Sequence, residues 1–167
     1  MKDIEKGWLC GIIDGDGGFR LGRRRRQFKM HNYETSWVPV MEIGSTEDKM
    51  IPEVQRICKS QGSCFVDRRK DQDGRRKNIY KYSLQANGLR WLLPQIVDHL
   101  VVKKEQAKLL MRVLEIYKRQ GHRARSPAIE KELQEIYVSM RTLNIRGYTN
   151  ENPQKFEHLK VRSLGGK

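Results

Sequence analysis

A chain of 167 residues fits one domain able to bury roughly two-thirds of its unfolded surface. Its 34 lysines and arginines against 20 acidic residues give a net charge of +14, which points to a polyanionic partner, nucleic acid ahead of an anionic membrane surface. No apolar stretch approaches the roughly 20 residues that span a bilayer, and "MKDIEKGW" has no signal-peptide core, so the expectation is a soluble, intracellular protein with no membrane partner and a compartment left open.

The first element is a helix over Ile4 to Asp14. A helical wheel puts Ile4, Trp8, Leu9, Ile12 and Ile13 on one side and Gly7, Cys10, Gly11 and Asp14 on the other. Glycine costs about 1 kcal/mol inside a helix, so two on one stripe predict the close approach of another backbone, in the plainest case this chain's own sheet. "FRLGRRRRQFKM" then alternates Phe19 and Leu21 with Arg20, Gly22, Arg24 and Arg26, a strand with one buried and one cationic face. "SWVPVMEIG" repeats the alternation with Trp37, Pro39, Met41 and Ile43 inward, and Pro39 predicts a locally unpaired or edge position. The two strands form a hairpin joined through "HNYET".

"STEDKMIPEVQRICKSQG" reads as a helix opened by Ser45 or Thr46, kinked or delayed by Pro52 and closed by Gly62. A second strand pair follows, "SCFVDRRK" and "IYKYSLQA", the latter with Tyr80, Tyr82 and Leu84 on one face and Ile79, Lys81 and Ser83 on the other. Helices are expected from about Gly88 to Leu100 and from about Lys104 to Arg119, and a third is capped by Ser126 with Pro127 at its first position. Residues 1–146 read as one domain and 147–167 as a loosely packed tail. Cys10, Cys58 and Cys64 match neither a CxxC pair nor zinc-ligand spacing and are expected as reduced core residues.

The stretch "DGDGG" after the first helix carries the chemistry. A phosphate-cradling loop needs a strand running into a helix, and here the order is reversed. A calcium EF-hand loop starting at Asp14 would put Phe19 where the turn glycine belongs and Arg25 where the closing glutamate belongs. What remains is a helix C-terminus, partly negative from its dipole, holding Asp14 and Asp16 near exposed carbonyls, a place for a hard divalent cation or a positive neighbour. The plain alternative is that Asp14 accepts from a backbone amide and Asp16 is a turn residue. The strand of arginines immediately after favours a carboxylate–metal site held against a phosphodiester backbone.

"LCGIIDGDG", Leu9 to Gly17, resembles the LAGLIDADG motif of homing endonucleases, with six of nine positions identical. The family's helix, strand, strand, helix, strand, strand, helix order is the order just read, so the resemblance implies an α+β, αββαββα fold with a curved antiparallel DNA-binding sheet and extra C-terminal helices. It implies a site-specific endonuclease that breaks both strands of a long, pseudo-palindromic double-stranded DNA target by divalent-metal-assisted hydrolysis. A single copy of the motif implies a homodimer in which the small stripe of the first helix, Gly7, Gly11 and Asp14, meets its twin. By resemblance Asp16 is the metal ligand, helped by the Gly15 carbonyl, with Mg2+ or another divalent cation such as Mn2+. Lys103, in "LVVKKEQAKLL", falls on the family's basic active-site position, with Lys104 next in line. Ser45 and Lys49 fall on a polar and a basic position beyond the second strand.

With Asp16 at the cleavage centre, Arg20, Arg24 and Arg26, then Val38, Val40 and Glu42, then Arg68, Arg69, Lys81 and Ser83 are the residues expected to face DNA, a one-residue slip in the second hairpin being enough to swap its faces. The alternatives are an intron maturase with RNA as partner and a catalytically silent DNA-binding regulator. One motif in a short chain suggests a free-standing, intron-encoded protein.

Overall fold

Alternating apolar residues in two hairpins build a four-stranded antiparallel sheet in the order β1-β2-β4-β3. The structure, a computed structural model, describes residues 1–24, 36–68, 77–121 and 125–145. In chain order the elements are α1 (Asp3–Asp16), β1 (Gly17–Arg24), β2 (Ser36–Ser45), α2 (Met50–Ile57), β3 (Ser63–Asp67), β4 (Ile79–Gln85), α3 (Ala86–Ile96) with a 3-10 turn after it, α4 (Lys104–Gln120) and α5 (Pro127–Leu143). This is the αββαββα order with extra C-terminal helices. The expected "HNYET" turn lies outside the described residues, as does all but the start of the segment after α5.

One face of the sheet is apolar. Phe19, Leu21, Trp37, Met41, Ile43, Tyr82 and Leu84 are buried, and α1, α2 and α3 pack over that face. β2 pairs with β1 along its whole length, whereas its pairing with β4 begins only at Val40. Pro39 therefore sits where β2 has a single neighbour, which is how an imino acid is tolerated in a central strand. The register also settles the second hairpin: Ser63, Phe65 and Asp67 of β3 lie opposite Ser83, Lys81 and Ile79 of β4.

The helix after β2 starts at Met50 rather than Ser45 or Thr46. Pro52 is its third residue, in the first turn, where a missing N–H leaves no helical bond unmade. The helix ends in a Schellman turn: Ser60 N–H donates to Gln55 O at 2.8 Å and Lys59 N–H to Arg56 O at 3.0 Å. Lys59 and Ser60 are both in the left-handed region, at φ 54° and 56°, where a side chain is strained. Lys59→Gly is expected to stabilise the fold by about 0.5–1 kcal/mol, partly offset by loss of the lysine from the Trp91 ring 5.3 Å away. Thermal melting would show a rise of a few degrees.

The core departs from the sequence pattern at three residues. Ile4 is 80% exposed and Trp8 38%, while Leu9, Cys10 and Ile13 form the buried side of α1. The wheel found the greasy residues but not which of them meet the sheet. Cys10 and Cys58 are buried, but Cys64 is exposed, because it lies on the edge strand β3. Burial pushes the Cys10 thiol up to about 11, and its Sγ donates to Ile96 O, so it is a neutral packing group.

The described residues form two compact units that divide between Leu114 and Glu115. In the second, Ser126 Oγ accepts from Ile129 N–H at 3.3 Å, with Pro127 opening α5, the cap that the sequence predicts. Leu133, Ile136 and Met140 are its buried residues. Among the described residues no helix is long and apolar enough to cross a membrane.

Candidate active site and nucleic-acid face

At the end of α1 the chain passes straight into β1, and Gly17 makes that possible. A Cβ at this position would stand 2.8 Å from Ile13 Cα and 2.9 Å from Ile13 O, closer than any side chain permits. Gly17 N–H caps the helix by donating to Ile12 O and Ile13 O. The two aspartates just before it then take different environments.

Asp14 turns back into the chain. Its carboxylate accepts from the backbone N–H of Val101 at 2.8 Å and of Lys103 at 2.9 Å, satisfying amides that lead into α4. The plain alternative offered for Asp14, a carboxylate accepting from backbone amide, is observed: the side chain pins the α4 lead-in to the end of α1. That segment is 87 residues downstream, so periodicity gives no sign of it.

The lead-in delivers Lys103. Its Nζ donates to Ile13 O at 2.7 Å and to Asp14 O at 2.8 Å, a cation on the negative end of a helix. Two of its three N–H groups are thus used and one remains. Burial pulls the Lys103 ammonium below the ordinary lysine range, and the neighbouring Asp14 and Asp16 charges partly restore it. Asp16, in contrast, is exposed, and its carboxylate has no hydrogen-bond or ion-pair partner among the described residues. One ammonium with a donor to spare and one free carboxylate therefore stand together at the helix end.

These donors fit a hard divalent cation: carboxylate and carbonyl oxygen, with no sulfur or imidazole. No group of three His, Cys, Asp or Glu able to hold a metal occurs among the described residues. The other residues assigned to the centre are less connected. Ser45 is the last residue of β2, which runs two positions past the partner of Gly17, and its Oγ accepts from Glu47 N–H at 2.9 Å. Lys49 caps the start of α2 and is exposed. No contact joins either to Asp16 or Lys103 among the described residues.

The sheet face away from the helices carries Arg20, Val38, Val40, Glu42, Lys81 and Ser83, as the alternation predicts. Val40 is only 2% exposed: it lies between Arg20 of β1 and Gln85 of β4, so it supports the face and offers nothing to a ligand. Arg20 and Glu42 form a two-point ion pair, and Lys81 pairs with Asp67 at 2.8 Å under the Phe65 ring. Phe65 and Asp67 share this face and were missed, because only the pairing register tells which β3 residues join Lys81. Arg68 is exposed one residue past β3, and Arg24 ends β1. Arg26 and Arg69 lie outside the described residues.

Gly7 and Gly11 lie on the exposed side of α1, and a Cβ at either, or at Gly15, would meet nothing within 4 Å. The stripe is not packed against this chain's own sheet, which removes the plainest reason for it. Ile4 and Trp8 share the exposed side, and Val101 and Val102 beside Asp14 are exposed as well.

Lys103→Met is expected to leave the Asp14 carbonyl without the lysine donor and the Ile13 carbonyl with only the Gly17 N–H, lowering stability by about 1–2 kcal/mol, and to cut any metal-dependent hydrolysis by about a hundredfold or more. With the native lysine, activity should fall as pH rises through a pKa below the ordinary lysine value, since only the ammonium is positive. Single-turnover rates against pH, beside melting curves, check both.

No protein-family model matches the chain, and no curated protein matches it. Solved structures do. The archaeal intron-encoded homing endonuclease I-Vdi141I, complexed with DNA, superposes with a TM-score of 0.69 at 16% identity, covering 99% of this chain and 100% of that one. I-CvuI, a homing endonuclease in complex with a DNA target in the presence of Mg, gives 0.67 at 18%, covering 87% and 86%. The LAGLIDADG homing endonuclease I-SmaMI, bound to cleaved DNA, gives 0.61 at 16% but covers 92% of this chain and only 48% of its own. The chain therefore has the LAGLIDADG homing-endonuclease fold. No comparison supports intron RNA as a partner.

Proposed function

We propose that this LAGLIDADG-fold chain is a homodimeric, divalent-metal-dependent endonuclease that breaks both strands of a long, approximately twofold-symmetric DNA target. The observation that carries this reading is the pairing, at one helix end, of an exposed carboxylate, Asp16, without a partner among the described residues, with a half-buried ammonium, Lys103, that keeps one N–H to donate. Structural neighbours bound to DNA, one of them in the presence of Mg, support it.

The open side of α1 supplies the dimer. Gly7, Gly11 and Gly15 recur every four residues, one above the other on the helix, and with no Cβ they let a second backbone approach closely. Ile4 and Trp8, exposed in one protomer, supply apolar surface to bury. Association about a twofold axis through this stripe brings the two Asp16 carboxylates together, and their mutual repulsion is relieved only by cations between them. That chain I-SmaMI is about twice the length matched here fits two copies of this unit making one functional body.

Asp16, with the Gly15 carbonyl, would hold the cation. When bound, it supplies a Lewis acid that stabilises charge on the attacked phosphodiester. Lys103 adds a fixed positive group on the other side, held in place by two carbonyls and, through its backbone, by Asp14. Ser45 and Lys49 are placed at the same centre by resemblance, as groups that orient water. The face carrying Arg20, Glu42, Lys81 and Ser83 would lie in the major groove, and the chain's excess positive charge would steer it to DNA. Its gene would lie in an intron.

A plasmid library with long randomised inserts tests the reading. Linear product is expected in magnesium and none in EDTA, with manganese also supporting cutting. Binding with no linear product under any divalent cation would contradict it.

A further inference from the structure

We infer that Glu42 is a positioning residue that fixes Arg20 to read guanine, rather than a DNA contact in its own right. This rests on the proposed DNA-binding role of the sheet. Arg20 and Glu42 sit diagonally across β1 and β2, with Gly18 opposite Glu42 and Arg20 opposite Val40. Arg20 Nε donates to Glu42 Oε2 at 3.1 Å and Nη2 to Oε1 at 2.6 Å. Both carboxylate oxygens are therefore occupied by one edge of the guanidinium. The edge formed by Nη1 and the remaining N–H of Nη2 stays available, and two parallel donors are what guanine O6 and N7 accept in the major groove.

The neighbours of Arg20 make room for a base. Its same-face neighbours along β1 are Gly18 and Gly22. A Cβ at Gly18 would meet nothing within 4 Å, while one at Gly22 would touch Arg20 Nη1 at 3.4 Å. Glycines in a strand interior weaken it and commonly mark the close approach of another group. Here they leave the guanidinium standing without side chains on either side along its strand. Beneath it, Val40 closes the surface.

Stability does not explain the pair. Both partners are well exposed, 49% and 39%, and exposed ion pairs contribute little to folding. An acid on a DNA-facing surface also weakens binding to phosphates of any sequence. The gain is in discrimination: an arginine with its torsions fixed by a carboxylate loses less freedom on meeting guanine and is kept from swinging to a phosphate. Arg20 lies three residues along β1 from Gly17, the residue after Asp16, on the order of 10 Å at strand rise, so the guanine falls in the inner part of each half-site, once on each side of the twofold axis.

Selection on a randomised double-stranded DNA library, followed by relative affinity for all four base pairs at every position, tests this with wild type, Arg20→Ala, Glu42→Gln and Glu42→Ala. Wild type should show a guanine preference at one symmetric pair of inner positions. Arg20→Ala should abolish it. Glu42→Ala should reduce it roughly tenfold or more, leave other positions unchanged and tighten binding to random DNA, while Glu42→Gln, which keeps one acceptor, should lose less. Melting temperatures should not move. A guanine preference unaltered in Glu42→Ala, or retained by Arg20→Ala, overturns the assignment alone. If wild type enriches no sequence, the DNA-reading role on which it rests falls with it.

Discussion

Asp16→Asn should abolish double-strand cleavage while leaving target binding intact. The expected loss is at least about a thousandfold in the single-turnover rate, some 4 kcal/mol of transition-state stabilisation. The fold has no use for the carboxylate: it is exposed, has no partner among the described residues, and ends a helix whose last carbonyls are capped by the Gly17 N–H. Replacing it with the isosteric amide should leave the melting temperature unchanged or raise it slightly, since a negative charge leaves the negative end of a helix. Asp14→Asn gives the contrast. That carboxylate accepts two backbone N–H groups, so its loss should show first in stability and in the placing of Lys103. If Asp16→Asn unfolded the protein, or cut as fast as wild type, the division of labour between the two aspartates would be wrong.

Gly11→Arg should keep the proposed dimer from forming without disturbing the single chain. A Cβ at Gly11 meets nothing within 4 Å in the single chain, and arginine is a good helix former on an exposed face, about 1 kcal/mol better than glycine. The isolated protomer should therefore be as stable or more so. Across a twofold axis the same substitution places two bulky cations where two backbones must approach, and interfaces tolerate neither overpacking nor unpaired like charges. The dimer dissociation constant should rise by about a hundredfold or more, read by sedimentation velocity across a concentration series. Linear product should be lost with it, because one protomer brings only one Asp16. A variant that remained dimeric would place the interface elsewhere.

What the chain shows in its letters follows from how far apart the interacting residues are. Phe19 and Leu21, Trp37 and Ile43, Tyr82 and Leu84 lie buried as their period-two spacing requires, because alternation is a local consequence of the pleat. Ser126 with Pro127 marks a helix start for the same local reason. Ile4 and Trp8 share the apolar side of the wheel with Leu9 and Ile13 yet are exposed, because a wheel ranks apolar character without saying which part of it meets the sheet. Val40 faces outward by alternation yet is buried, since a central strand has neighbours on both sides to cover it. The partners of Asp14 and Lys103 could not be read at all: they are joined across almost 90 residues by backbone groups, which leave no trace in side-chain pattern. Asp16 is singled out by the motif alone, while the motif's last residue, Gly17, has a local reason in its close approach to Ile13.

The most direct single measurement sets wild type beside Asp16→Asn on the same plasmid target in magnesium, with linear and intact plasmid resolved on one gel. Linear plasmid from wild type, with Asp16→Asn retaining the target in a bound, uncut complex, is the result expected of a metal-dependent nuclease built on this carboxylate. Equal cutting by both proteins, or by neither while both bind, would contradict it.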